Sequence, residues 1–168
     1  MEEKLIEHII SIGNPVLGVF RYLVLQLPEG WIVKSSEIPP EISYTTEYNG
    51  IGYVVDGLSH NYITSVLGEE MLQLTIKCSK IRGELSISTR GLENYSLGRT
   101  HIANHPCLYV YGEKPVGFLR KERMRYLAMV FDCSFTGRRI ELRLLGKQSS
   151  GVIIEGLIPA LEQSRCHG

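Results

Sequence analysis

The chain has 168 residues, 18 basic and 18 acidic side chains and no net charge. Its 43% hydrophobic and 21% charged content excludes a disordered, collagen-like or coiled-coil chain, and the length is enough to bury about two thirds of the unfolded surface in one domain. The longest apolar run, Val16 to Leu27, is interrupted by Gly18, Arg21 and Gln26, so no membrane span is expected. The acidic start, Met1-Glu2-Glu3-Lys4, is unlike a secretory leader, so a cytoplasmic location is expected.

Taken in chain order, Leu5, Ile6, Ile9 and Ile10 form a helical stripe over 2–11, closed by Gly13-Asn14-Pro15, and predict a short N-terminal helix. Val16 to Leu27 reads as a strand. Leu27-Pro28-Glu29-Gly30-Trp31 then turns the chain into a second extended run, 31–35, and predicts a hairpin. Beyond the loop at Pro39-Pro40, strands 43–48 and 51–55 flank Asn49-Gly50, the dipeptide that most favours a tight turn. The polar stretch 57–68 reads as loop or short helix. Met71 to Cys78 alternates as a half-buried strand does, Leu85, Ile87 and Thr89 continue the alternation, 91–106 reads as an irregular connection, and 108–111 as a strand.

The strongest local signal is a ribbon. Met124 to Cys133 is an extended apolar run, Ser134 to Gly137 a turn, and Arg138 to Leu145 alternates with Ile140, Leu142 and Leu144 inward and Arg139, Glu141 and Arg143 outward. Its apolar side needs a cover. The stripe Ile153, Ile154, Leu157, Ile158 and Leu161 within 149–163 supplies one, with Ser150 as cap and a break near Ile158 imposed by Pro159. These elements predict a single α+β domain over 1–168, a twisted, largely antiparallel sheet flanked by an N-terminal helix and a kinked C-terminal helix.

This order of elements, with Leu-Pro-Glu-Gly-Trp at 27–31, resembles the Mog1/PsbP-like group, which includes photosynthetic accessory subunits, a Ran-binding factor and uncharacterised prokaryotic proteins. The resemblance implies a twisted antiparallel sheet flanked by helices and an interaction or assembly module. It carries no catalytic residues over.

Three constellations could carry chemistry. The first is basic and aromatic: Lys114, Arg120, Lys121, Arg123, Arg125, Arg138, Arg139 and Arg143, interleaved with Tyr109, Tyr111, Phe118 and Tyr126. Such a face can track a phosphate backbone or an acidic protein, and it can equally be a solvated guard against edge pairing. The expected binding residues are Arg120, Lys121, Arg123, Arg125, Arg139, Arg143, Tyr109 and Tyr111, with an acidic protein or nucleic acid as partner. Residues 1–70 hold ten acids and three bases, and 71–168 eight acids and fifteen bases. That asymmetry and exposed strand edges also admit a homodimer.

The second constellation is His101, His105, Cys107, Cys133, Cys166 and His167, all of ligand type for zinc but without a C-x-x-C pair or a helix to carry His101 and His105. No metal or cofactor is therefore expected. Cys133, ending a strand, and Cys166, ending the cover, are placed to form a disulfide worth about 3 kcal/mol. The third is acid-base or nucleophilic by type alone: Asp56 with His60, and His105 with Cys107. With no G-x-S-x-G, P-loop, G-x-G-x-x-G or H-E-x-x-H motif, a non-catalytic module leads. The alternative is a small hydrolase or metal-dependent enzyme using His101, His105 and Cys107.

Overall fold

In the computed structural model of this chain, residues 3–14, 18–35, 45–48, 53–56, 58–66, 70–119 and 122–167 are described. A seven-stranded sheet organises them. It contains β3 (Trp31–Ser35), β6 (Leu58–Val66), β7 (Glu70–Lys80), β8 (Glu93–Ile102), β9 (His105–Val116), β10 (Glu122–Cys133) and β11 (Arg138–Gly146) in the spatial order β3-β6-β7-β11-β10-β9-β8. Every neighbouring pair is antiparallel. Two further hairpins pair β1 (Leu5–Asn14) with β2 (Gly18–Pro28) and β4 (Thr45–Tyr48) with β5 (Tyr53–Asp56).

The ribbon is as the alternation predicts. Ile140 of β11 lies opposite Phe131 of β10, and Leu142 opposite Met129. These side chains, with Leu127, Leu144, Leu72, Leu74 and Ile76, are withdrawn from solvent on one face. On the other face Val110, Tyr126 and Ala128 pack with Ile87 and Leu92 of the segment between β7 and β8. Burial on both sides explains why β10 reads as an unbroken apolar run.

The first face is roofed by β2 and the C-terminal segment. A short 3-10 turn, Gln148–Ser150, leads into α1 (Gly151–Gly156) and α2 (Ile158–Leu161), and Ile154, Leu157 and Leu161 enter the core. The break falls at Leu157, where Pro159 stands in the first turn of α2 and its missing N–H costs nothing. Ser150 occupies the cap position of α1, but its hydroxyl makes no capping bond. Beyond α2 the tail lies beside β2: Val24 and Arg165 exchange backbone hydrogen bonds of 2.7 and 3.0 Å, and the Ser164 hydroxyl accepts one from Gln26 N–H at 3.0 Å.

Several elements differ from the sequence expectation. The N-terminal helix is strand β1, because β2, paired along the whole length of β1, supplies ladder hydrogen bonds that outweigh a ten-residue helix marginal in water. The turn at Glu29-Gly30 does not close a hairpin between β2 and β3, since β2 takes β1 as partner and β3 takes β6. Gly30 still adopts φ 101°, and Trp31 still anchors in the core. The stretch 58–66 is strand β6, held between β3 and β7.

Leu85, Ile87 and Thr89 lie outside any strand. The supposed irregular connection 91–106 is mostly strand β8, joined to β9 by Ala103 (φ 50°) and Asn104 (φ 66°), a two-residue turn with both φ values positive. Tyr48 and Tyr53 close the described part of the β4–β5 hairpin, and the Asn49-Gly50 turn lies outside the described residues. Among the described residues no helix is long and apolar enough to cross a membrane.

Candidate metal centre

The inward face ends in a cluster that three separate segments build. Antiparallel register pairs Phe131 with Cys107, which carries His105, two residues earlier on β9, alongside Cys133 at the end of β10. Cys133 pairs on its other side with Arg138 of β11. The bridge between Val24 and Arg165 then delivers Cys166 and His167 above this row. The ligand atoms of His105, Cys133, Cys166 and His167 all lie within 4.8 Å of one another.

Both thiols contact the same ring nitrogen: Cys133 Sγ lies 3.3 Å and Cys166 Sγ 3.0 Å from His167 Nδ1. His105 stacks on Phe131, and its Nε2 is buried with no hydrogen-bond partner. The His167 ring packs against Phe135, centroids 4.7 Å apart, and against His105 at 5.4 Å. The thiol of Cys166, with help from Thr136 and His167, stabilises a thiolate on Cys133 and pulls its pKa down to about 4. The same sharing of one proton, together with burial, pushes Cys166 up.

Two sulfurs and two imidazoles gathered to this radius match the donor set of a tetrahedral zinc site, where metal–sulfur and metal–nitrogen bonds are about 2.3 and 2.0 Å. Zinc would satisfy the orphaned His105 Nε2 and keep both thiols ionised. No disulfide joins the four cysteines in the structure, and the expected partners Cys133 and Cys166 are brought together. Of the six ligand-type residues of the sequence constellation, His101 and Cys107 do not join the cluster. His101 is exposed on β8. Cys107 is buried, its thiol pushed up to about 12 by desolvation, and it donates to the Leu108 carbonyl. Asp56 ends β5, and His60 lies in β6 opposite Ile76.

The expected binding residues divide between the two faces of the sheet. Arg139 and Arg143 point away from the main core, and each is paired: Arg139 makes a two-pronged bond to Asp132 at 2.7 and 2.9 Å, and Arg143 meets Glu141 at 2.6 Å. Arg123, Arg125, Tyr109 and Tyr111 belong to the opposite face. There Glu113 sits 3.7 Å from both arginines, and Glu93 3.2 Å from Arg123. Tyr109 and Tyr111 pack against the core, and the Tyr111 hydroxyl donates to the Gly151 carbonyl at 2.9 Å. Lys114 lies 5.4 Å over the Tyr126 ring, Phe118 is 97% exposed at the β9–β10 turn, and Arg120 and Lys121 lie outside the described residues.

No family model and no curated protein matches the chain. The chain is similar in structure to the solution structure of cyanobacterial PsbP (CyanoP) from Synechocystis sp. PCC 6803. The TM-score is 0.49 and the identity 12%, over 96% of this chain and 94% of that one. The likeness is one of fold, and the roles of individual residues here come from their own geometry.

Proposed function

We propose that this chain is a non-catalytic interaction or assembly module whose C-terminal tail is clamped to the sheet by a zinc-class ion at His105, Cys133, Cys166 and His167. The observation that carries the reading is convergence: four soft or borderline ligand atoms, drawn from two strands and the tail, within 4.8 Å of one another, one of them a buried imidazole nitrogen with no partner. Four protein ligands leave no open coordination position, which is the arrangement of a structural site and not of a hydrolytic one. The buried, hard-to-ionise Cys107 and the separation of His101 from the cluster weigh against an enzyme built on His101, His105 and Cys107.

The interacting surface in this reading is the rim around the β9–β10 turn, where Phe118 and Leu119 are exposed beside Arg120 and Lys121 in the sequence. An acidic protein fits it better than nucleic acid, because Arg123, Arg125, Arg139 and Arg143 are already matched by acids and leave few charges for a phosphate backbone. A cytoplasmic setting, which keeps thiols reduced, belongs to the same reading.

The test is metal analysis of full-length protein purified without chelator, combined with non-reducing peptide mapping. One zinc per chain, lost in Cys133→Ser and in His105→Ala, is the expected result. Metal-free protein with a Cys133–Cys166 disulfide overturns the metal reading and makes the cluster a covalent clamp.

A further inference from the structure

Beside the cluster lies a cavity of about 210 Å³ with an unusual wall: Arg21 from β2, Arg138 from the start of β11 and Arg165 from the tail, together with Cys166 and His167. No acid lines it. Arg138 is the decisive residue. It is only 6% exposed, because alternation along β11 sends it inward with Ile140 and Leu142 while Arg139 goes outward. Its Nε is buried with no hydrogen-bond partner, and among the described residues it enters none of the ion pairs that engage Arg139 and Arg143.

A guanidinium keeps its proton under all ordinary conditions, and a buried charge without a counterion is among the costliest groups a fold can contain. Among the described residues no ion pair with a carboxylate relieves Arg138, although it lies opposite Cys133 in register and acts electrostatically on Cys166. The Cys133 sulfur takes its hydrogen bonds from Cys166, Thr136 and His167, and the one carboxylate on Arg165, that of Glu7 at 2.8 Å, is not part of the cavity wall. We propose that this cavity binds a small tetrahedral oxyanion, phosphate or sulfate, either free or as the terminal group of a small molecule. The three guanidinium-bearing residues come to the cavity wall from three separate elements, β2, β11 and the tail. That arrangement suits a tetrahedral oxyanion better than a planar carboxylate, which a single guanidinium fork already satisfies.

The proposal does not rest on the metal reading, and one experiment separates them. Full-length protein, with zinc content measured on the same sample, is titrated calorimetrically in low-chloride buffer with inorganic phosphate, inorganic sulfate and acetate. One saturable site for phosphate or sulfate is expected, the tighter ion naming the ligand, with acetate at least about tenfold weaker. Arg138→Met should lower the affinity by at least about tenfold, the effect of removing one charge-assisted donor, while leaving zinc content unchanged. Arg21→Gln, at an exposed position where folding is not at stake, should weaken binding several-fold. Absence of saturable phosphate or sulfate binding, equal affinity for acetate, or unchanged affinity in Arg21→Gln and Arg138→Met would each overturn the site.

Discussion

Arg138 and Arg139 are adjacent on one strand and have opposite fates. Arg139 faces outward, grips Asp132 across the ribbon and reaches the carbonyls of Arg82 and Gly83, so its charge is spent on holding the sheet to the segment that follows β7. Arg138 faces inward, beside the cysteines and histidines, with its Nε unsatisfied. The outward face is self-contained: Arg139 is neutralised by Asp132 across the ribbon, and Arg143 by Glu141 two residues earlier on its own strand. Around Arg138 and the candidate metal cluster, Arg138 Nε and His105 Nε2 are buried without hydrogen-bond partners. Unmet chemistry, not the number of charges, separates the functional corner of this molecule from its solvated face.

The largest expected effect comes from removing the proposed metal. If zinc is held at a concentration about a thousandfold above its dissociation constant, chelation should cost about 4 kcal/mol, a fall of about 10 °C in Tm for a chain of this size. Calorimetry with and without chelator reads it, and Cys133→Ser should already melt at the lower temperature and ignore the chelator.

The core beneath the same corner ranks next. Leu142→Ala, at the centre of the covered face, should cost about 2–4 kcal/mol, seen as a lower urea midpoint, through lost transfer free energy and the cavity left behind. A much smaller loss would mean that β2 and the tail do not roof β11 there.

The two arginines give the sharper contrast. Arg139→Met should lose about 1 kcal/mol, as expected for a partly screened, two-pronged ion pair. Arg138→Met, in buffer without phosphate or sulfate, should lose nothing or gain about 1 kcal/mol, because it removes a buried charge that no carboxylate offsets among the described residues. Equal losses in the two variants, measured by urea denaturation, would erase the distinction between the faces.

The smallest effect concerns acid. Glu113 accepts hydrogen bonds from Gln148 at 3.2 Å and Asn94 at 3.3 Å and faces Arg125 and Arg123, which together hold its carboxyl below the ordinary carboxylate range. A depressed folded-state value stabilises the protein above the ordinary carboxylate pKa, and that stabilisation disappears as pH falls through the folded value. Glu113→Gln should therefore be slightly less stable at neutral pH and match the parent protein once the carboxyl is protonated. Melting temperatures from pH 7 down to pH 3 check this.

Sequence alone determined the elements whose side-chain period is unambiguous. The alternation of Ile140, Leu142 and Leu144 against Arg139, Glu141 and Arg143 admits one reading, and the stripe of Ile154, Leu157 and Leu161 supplies a cover for the face it creates. Where the pattern fits two periods, as at Leu5, Ile6, Ile9 and Ile10, tertiary pairing decided, and β2 made a strand of it. The site was decided by tertiary structure in a stricter sense. Ligand types at 105, 133, 166 and 167 have no motif spacing, because their meeting depends on the register of β9 on β10 and on a tail bound backward along β2, both long-range pairings that leave no local trace in the chain.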